Sequence, residues 1–230
     1  MIIVEFYGLP SCGKTTTISC LKDNLVSQGY RVGTLPEILL AAGSFKRKWY
    51  KLTARRFPEC ALHQLISEEK LQQDKIHRSR KALKRIFYEY HVLSKMKDSF
   101  DFCLVDQGLI QGLLSVYYDV GINNNTLVNN LLSELYDKIF VEKVLAVNAE
   151  LSVNEAVDRI IARNKTGKQA GRLDLLSGER LKEVMNVQFQ NINIIKSSLP
   201  DCLCCFDINM RELPDDNSKK IIRIIDGWSH

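Results

Sequence analysis

Short apolar runs and longer amphipathic stretches alternate along the chain. Five short runs rich in apolar, β-branched and aromatic residues predict strands: Ile2–Tyr7, Tyr30–Leu35, Phe100–Val105, Phe140–Val147 and Cys202–Ile208. Between them, apolar residues recur every three or four positions, as at Ile18, Leu21 and Leu25, which is the spacing of one helix face. Strands that alternate with helices indicate an α/β fold, with a parallel sheet covered by helices on both faces.

The interval between the second and third strands departs from this alternation. It holds about 65 residues, which is far more than an ordinary crossover needs. Its pattern is helical throughout, and Leu83, Ile86 and Phe87 begin one apolar stripe within it. We therefore expect residues 1–230 to form a single domain, with a helical insertion at about residues 36–99.

Composition restricts the class of protein. The chain has 230 residues, of which 45% are apolar, with 12 glycines and 5 prolines, so a largely disordered state is excluded. No stretch approaches the roughly 18 consecutive apolar residues of a membrane span, and no signal-peptide pattern is visible. The 7 cysteines match no zinc spacing and are odd in number, so we expect a reducing, cytoplasmic compartment.

The positive charge is concentrated in one region. Residues 46–85 hold 13 Lys and Arg against 4 Asp and Glu, a net charge of +9, so the rest of the chain carries 5 − 9 = −4. Such a block indicates an anionic partner, which could be a phosphorylated small molecule, a nucleic acid or a membrane surface. A solvated helix face is the alternative interpretation.

A phosphate-binding motif follows the first predicted strand at once. Residues 8–15 read G-x-x-x-x-G-K-T, and a predicted helix begins at Lys14. In this context we expect Lys14 to reach the β- and γ-phosphates of ATP, and the Thr15 hydroxyl to bind Mg²⁺. The residues expected to contact the nucleotide are Gly8, Pro10, Ser11, Cys12, Gly13, Lys14, Thr15 and Thr16. An ordinary glycine-containing turn is the alternative.

An acidic residue ends the third predicted strand. Asp106 follows the apolar run FCLV, where it can hold Mg²⁺ together with Thr15 or act on an acceptor hydroxyl. The alternative is an aspartate that only caps the following helix.

Three arginines surround a polar loop late in the chain. Arg159 and Arg163 are four residues apart, so both guanidinium groups leave one helix face, and Arg172 follows the loop 164–171. Guanidinium forks can grip a phosphoryl group, so we assign catalytic roles to these three residues together with Lys14 and Asp106. A solvated basic face is again the alternative.

Four segments together resemble the P-loop nucleoside and nucleotide kinases, in particular their thymidylate-kinase-like and deoxynucleoside-kinase-like members. They are the phosphate loop, the step Asp106–Gln107–Gly108, the stretch DRIIARNKTGKQAGR and the closing FDINMRELP…IIRIID. The resemblance implies a five-stranded parallel sheet of order 2-3-1-4-5 and a lid at about residues 158–176. It also implies that the region between strands 2 and 3 covers the phosphate acceptor, and that 209–213 pack against adenine.

The same resemblance implies candidate acceptor contacts. Glu37 stands where some members place an acidic residue on the acceptor hydroxyl, and Arg55 and Arg56 fall on the acceptor side. Gln107 replaces the arginine of the thymidylate kinases' Asp-Arg step, and Pro10 and Ser11 replace an acidic residue and a glycine. We include Gln107 among the acceptor contacts, and these departures leave the acceptor's identity open.

The expected function is an ATP-dependent phosphotransferase that acts on an anionic acceptor such as a nucleotide or sugar phosphate. Two alternatives stay open: a nucleotide-dependent regulatory NTPase, and a polynucleotide-binding kinase that uses the basic insertion. Residues 164–167 read Asn-Lys-Thr-Gly and lack the aspartate of a guanine-binding signature. ATP and a small anionic acceptor are the expected partners, and a homodimer is left open. A nucleic acid or a membrane surface is a less favoured partner.

Overall fold

Five parallel strands form the sheet at the centre of the protein. The structure, a computed structural model, describes residues 1–44, 47, 73–120, 125–139, 143–165, 172–176, 178–200 and 203–227. The strands are β1 (Ile2–Gly8), β2 (Val32–Thr34), β3 (Phe102–Val105), β4 (Lys143–Glu150) and β5 (Cys204–Asn209). Their order in the described sheet is β2-β3-β1-β4-β5, and every pairing is parallel. The order 2-3-1-4-5 is therefore confirmed.

Parallel pairing brings the carboxyl ends of all five strands to one edge of the sheet. In β1, residues 3–8 are buried without alternation, as expected for a strand that helices cover on both faces. The lack of alternation in β1 thus reflects the burial of both of its faces. The loops that leave the carboxyl edge are where ligands bind in open α/β sheets.

Eight α-helices are assigned within the described residues. They are α1 (Lys14–Ser27), α2 (Leu35–Ala41), α3 (Gln73–Lys95), α4 (Leu109–Val120), α5 (Asn125–Ile139), α6 (Val153–Lys165), α7 (Gly178–Lys196) and α8 (Pro214–Gly227), with a 3₁₀ turn at Arg172–Leu175. Helix α1 packs against α8, α3 against α4, and α6 against α7. No described helix has the length and hydropathy that crossing a bilayer requires.

The predicted insertion is helical at both of its described ends. Helix α2 directly follows β2, and α3 brings Leu83, Phe87 and Tyr90 into the core with no exposed surface. The second half of the insertion therefore packs into the same hydrophobic core as the sheet. Residues 45, 46 and 48–72 lie outside the described residues, and with them much of the basic region 46–85.

Strand β2 is shorter than its sequence pattern predicts. The apolar run covers 30–35, whereas the strand covers only Val32–Thr34. The reason is local, because Thr34 is already the N-cap of α2 and takes part in a capping box with Glu37. An apolar run thus continues from a strand into the first turn of a helix.

Candidate phosphate-binding site

The phosphate loop turns sharply between β1 and α1. Gly8, Ser11 and Gly13 have positive φ angles of 144°, 59° and 112°. A Cβ atom at Gly8 would lie 2.7 Å from the carbonyl oxygen of Ala149 in β4, so no side chain fits there. A backbone curled in this way points successive N–H groups into one concavity, which is the shape that binds phosphate oxygens.

Helix α1 begins without a side-chain cap. Its N-cap residue is Gly13, whose carbonyl accepts hydrogen bonds from the N–H groups of Thr16 and Thr17, both at 3.1 Å. The N–H groups of Lys14 and Thr15 belong to the first turn, which has no intrahelical acceptor for them. The positive end of the helix dipole therefore faces the concavity, and an anion there would be stabilised.

The Lys14 side chain curls back into the loop. Its Nζ donates to the carbonyl oxygens of Leu9 at 2.9 Å and Gly8 at 3.2 Å, and lies 3.6 Å from Cys12 Sγ. The ammonium group thus occupies the concavity that the backbone forms. Carbonyl oxygens are neutral acceptors, so a phosphate oxygen entering the loop would be a stronger partner for this charge.

Thr15 and Asp106 meet across the mouth of the loop. The Thr15 hydroxyl donates to Asp106 Oδ2 at 2.7 Å, which joins the first turn of α1 to the end of β3. Asp106 is half-buried and Thr15 is exposed. A hydroxyl and a carboxylate are hard oxygen donors of the kind that Mg²⁺ prefers, so this pair fits the predicted metal site.

A second connection runs from the loop to α4. The Gly8 N–H donates to Gln111 Oε1 at 3.2 Å. Beneath it, the fully buried Glu5 of β1 accepts from the Ile110 N–H at 2.5 Å, and from the hydroxyls of Tyr90 at 2.5 Å and Tyr136 at 2.8 Å. Burial raises the pKa of Glu5, and these hydrogen bonds oppose that shift.

Glu5 and Gln111 are residues that the sequence analysis missed. The one available signal was the presence of a carboxylate within the apolar run of β1, since a charged residue is almost never fully buried unless it is paired. Gln111 gave no such signal, because a glutamine on an amphipathic helix is ordinary.

Arg159 braces the phosphate loop from α6. Its Nη1 donates to the carbonyl oxygen of Cys12, and its Nη2 donates to that of Met210 at 2.8 Å. The guanidinium therefore joins the loop to the turn after β5, with its fork on two backbone carbonyls. Arg163 lies one turn further along α6 and is half-buried.

Arg172 begins the 3₁₀ turn that precedes α7. Its side chain and residues 166–171 lie outside the described residues, so the described lid consists of the end of α6 and this turn. The catalytic roles of Arg159, Arg163 and Arg172 remain predictions, and of the three only Arg159 has a described contact with the phosphate loop.

Two of the four predicted acceptor contacts are described. Glu37 Oε2 accepts the Thr34 N–H at 2.8 Å and its Oε1 pairs with Lys22 Nζ at 2.5 Å, and these contacts, Lys22 first, lower the Glu37 pKa. Gln107 is exposed beside Asp106. Arg55 and Arg56 lie outside the described residues, so their roles stay predictions.

A protein of known structure shares this fold. The YorR protein from Bacillus subtilis, in complex with phosphorylated GDP, aligns over 99% of this chain and 98% of its own, with 13% identity and a TM-score of 0.50. The chain shares the fold of that protein, here a five-stranded parallel sheet of order 2-3-1-4-5. The resemblance seen in the sequence is thereby confirmed at the level of the fold, and the thymidylate-kinase-like grouping stays a prediction.

Two further structures with lower scores were found. Deoxyadenosine kinase from M. mycoides with bound dCTP has 17% identity and a TM-score of 0.45, covering 99% of this chain and 100% of its own. Shikimate kinase from Acinetobacter baumannii, in complex with shikimate, has 14% identity and a TM-score of 0.46, covering 98% and 93%. No family model and no curated protein matches the chain by sequence.

A cavity of about 360 Å³ opens beside the phosphate loop, at the carboxyl ends of β4 and β5. Leu9, Asn148, Glu150, Asn193 and Arg211 are among its lining residues, whereas Lys14, Thr15 and Asp106 are not. The cavity therefore lies apart from the contacts that fit a phosphate and a metal ion.

Proposed function

We propose that the protein is an ATP-dependent phosphotransferase that transfers the γ-phosphoryl group to a small anionic acceptor, such as a nucleotide or sugar phosphate. One observation carries the proposal. The Lys14 ammonium lies inside the curled loop, while Thr15 and Asp106, 2.7 Å apart, present hard oxygens at its mouth. This combination supplies a cation for the phosphates and ligands for Mg²⁺ at one point of the carboxyl edge.

The donor half would work by charge and orientation. Loop N–H groups and the open end of α1 hold the β- and γ-phosphates, and Lys14 exchanges its bonds to Gly8 and Leu9 for bonds to phosphate oxygens. When bound, Mg²⁺ would neutralise charge on the β- and γ-phosphate oxygens, held by Thr15 and Asp106. The loop backbone and the start of α1 are already oriented before the phosphate arrives, so most of the rearrangement is confined to the Lys14 side chain.

The arginines of α6 and the 3₁₀ turn have different roles in this proposal. Arg159, bonded to the Cys12 and Met210 carbonyls, keeps the loop aligned with the turn after β5. We assign Arg163 and Arg172 to the transferring phosphoryl group, where charge spreads over the oxygens as the bond to the leaving group breaks. Replacing either by alanine should then lower turnover more than it raises the Michaelis constant for ATP.

The acceptor belongs on the β2–β3 side of the loop. Strand order β2-β3-β1 brings the end of β2, which is followed by Glu37 in the first turn of α2, and the end of β3, which is followed by the exposed Gln107, to one side of β1. Glu37 is half exposed, and its lowered pKa keeps it ionised at neutral pH, so it can accept a hydrogen bond from an acceptor hydroxyl. Arg55 and Arg56 are the proposed contacts to the acceptor's own charge.

The direct test measures ADP release from MgATP in the presence of candidate acceptors. Nucleosides, nucleoside monophosphates, sugar phosphates and an oligonucleotide with a free 5′-hydroxyl are compared with a reaction that lacks an acceptor. GTP is tested beside ATP, because a protein of the same fold holds phosphorylated GDP. The proposal expects one class of small anionic acceptor to stimulate ADP release, and expects the Lys14→Ala variant to lose that stimulation.

Other outcomes would favour other functions. Steady hydrolysis that no acceptor stimulates would indicate a regulatory NTPase. Stimulation by the oligonucleotide alone, weakened by salt and by replacing Arg55 and Arg56 with Glu, would indicate a polynucleotide kinase. The proposal also includes a cytoplasmic location. A homodimer is left open, and sedimentation velocity of the purified protein decides between monomer and dimer.

A further inference from the structure

The carboxyl group of Glu5 is buried under the metal-binding end of the site. Its Oε2 accepts the hydroxyls of Tyr90 from α3 and Tyr136 from α5, and its Oε1 accepts the Ile110 N–H at the start of α4. A hydrogen bond from the Gln111 N–H also favours the carboxylate. One side chain of β1 thus joins three helices to the strand that leads into the phosphate loop.

We propose that Glu5 is a positioning residue for the Mg²⁺-nucleotide site, because it fixes the first turn of α4 and with it Asp106 and Gln111. Asp106 precedes that turn and bonds Thr15, and Gln111 lies within it and bonds the Gly8 N–H. Both ends of the phosphate loop therefore depend on where α4 begins. The identity of the ligand rests on the proposed function, but the claim that Glu5 fixes the first turn of α4 does not.

The packing at Gly108 shows how tightly this turn is held. A Cβ atom added to Gly108 would lie 2.2 Å from the Tyr90 hydroxyl and 2.3 Å from Glu5 Cδ. Contacts below 3.0 Å require one of the groups to move. The turn between Asp106 and Ile110 therefore lies directly on the Glu5 carboxyl, with no room for a side chain between them.

A carboxyl group is a costly choice for this position. Moving it out of water disfavours folding unless its hydrogen bonds compensate. An apolar side chain would fill the same space at lower cost, but it would leave the Ile110 N–H buried without its acceptor. Oε1 keeps a lone pair for that N–H whether the carboxyl group is ionised or neutral, so the positioning role holds in both states.

The expected consequence is specific to the metal-dependent part of binding. A shift of the α4 start moves Asp106 relative to Thr15 and Gln111 relative to Gly8. Side chains that orient metal ligands typically contribute about ten- to a hundredfold to metal affinity. The Lys14 contacts to the Gly8 and Leu9 carbonyls do not involve α4, and Gln111 of α4 bonds the loop only at the Gly8 N–H, so nucleotide binding without Mg²⁺ should change less.

Three variants separate positioning from stability. Glu5→Met removes the acceptor at similar length, whereas Glu5→Gln keeps a carbonyl oxygen that can accept the Ile110 N–H. Tyr136→Phe is the matched control, because it removes a hydrogen bond on Oε2 and leaves the α4 side intact. Fluorescent ATP-analogue binding is titrated with Mg²⁺ and repeated in EDTA, amide exchange is followed at 110–112 without ligand, and urea unfolding gives stability.

Glu5→Met should raise the Mg²⁺ concentration for half-maximal binding about tenfold and accelerate exchange at 110–112. Its affinity in EDTA should stay within about twofold of the wild type, and Glu5→Gln should recover most of the loss. Tyr136→Phe should lower the urea midpoint without altering the Mg²⁺ dependence. If Glu5→Met does not fold, Gly108→Ala moves the same turn with Glu5 retained and should give the same Mg²⁺ pattern.

Two results would overturn the inference. One is an Mg²⁺ dependence that follows the urea midpoint through all variants, Tyr136→Phe included, since Glu5 would then be only structural. The other is unchanged exchange at 110–112 in Glu5→Met. Failure of the wild type to bind any nucleotide would instead contradict the proposed function, and the exchange comparison would still decide the positioning role.

Discussion

Helices α1 and α2 both begin at the carboxyl edge of the sheet, but their first turns differ. Helix α2 is closed by a capping box, in which the Thr34 side chain accepts the Glu37 N–H and Glu37 Oε2 accepts the Thr34 N–H at 2.8 Å. Helix α1 begins at Gly13 with no side-chain cap. Each helix has the same unsatisfied N–H groups and the same positive dipole end.

The difference indicates where a ligand belongs. At α2 the chain supplies its own acceptors, so an incoming anion would have to displace a bonded carboxylate. At α1 the N–H groups face a concavity that already holds the Lys14 ammonium. Helix α6 resembles α2, since the Glu155 N–H donates to Ser152 Oγ at 3.4 Å. The uncapped start of α1, with the Lys14 ammonium in front of it, thus indicates the phosphate site, in contrast to the capped starts of α2 and α6.

The largest effect should come from Lys14→Ala. It removes the one ammonium group that lies inside the described loop, so we expect ATP affinity to fall about a hundredfold, in line with charge-assisted hydrogen bonds of about 1.5–3 kcal/mol. Calorimetric titration with MgATP measures it. Lys219→Ala, which removes an exposed lysine paired with Asp215 on α8, is the control and should bind normally. Equal affinities for all three proteins would contradict the assignment of the open helix end.

A somewhat smaller effect is expected for Asp106→Asn. The change keeps the shape but removes the charge opposite Thr15, so MgATP affinity should fall about tenfold while ATP binding in EDTA changes little. Asp101→Asn, at the other end of β3 and paired with Arg31, is the matched control. A loss of the same size with and without Mg²⁺ would show that Asp106 does not hold the metal.

Removing the cap of α2 should lower the stability of the protein without changing its affinity for ATP. Thr34→Ala removes the side-chain half of the capping box, so the free energy of unfolding should fall by about 1 kcal/mol. Urea denaturation measures the loss, and MgATP affinity should match the wild type. A Thr34→Ala protein that loses ATP affinity would show that the capped and open ends are not independent.

The smallest effect concerns acid sensitivity at α6. Arg211 and then Ser152 lower the pKa of Glu155 to about 2, so this carboxylate stabilises the fold above about pH 4.5 and loses that contribution as the pH falls toward 2. In Glu155→Gln the pH dependence of unfolding across this window should be flatter, and in Arg211→Gln it should flatten similarly. If both variants keep the pH profile of the wild type, the ion pair between Glu155 and Arg211 does not contribute to acid sensitivity.

Much of the phosphate site at the uncapped start of α1 could be predicted from the sequence, because its signals are local. The spacing from Gly8 to Thr15 lies within one turn, and Asp106 was recognised because it ends an apolar run. Which strand lies beside which came from the resemblance, since periodicity alone does not order strands. The structure then places Asp106 against Thr15, 91 positions away.

The contacts that hold the phosphate site in place could not be predicted from the sequence, because each of them joins residues that are far apart in the chain. Glu5 and Ile110 are 105 positions apart, and Arg159 and Cys12 are 147 apart. Arg159 shows the limit clearly. The spacing to Arg163 correctly suggests one helix face, but only the fold shows that backbone carbonyls of Cys12 and Met210 occupy its guanidinium.

The hydrogen bonds from Arg159 to Cys12 and Met210 also determine how late in synthesis the site can be completed. The phosphate loop is made within the first 15 residues, but the backbone carbonyl that completes its brace belongs to residue 210 of 230. At about 5–20 residues per second, Met210 is added about 10 to 40 s after Lys14. A chain still on the ribosome therefore carries the phosphate-binding motif long before it carries a braced nucleotide site.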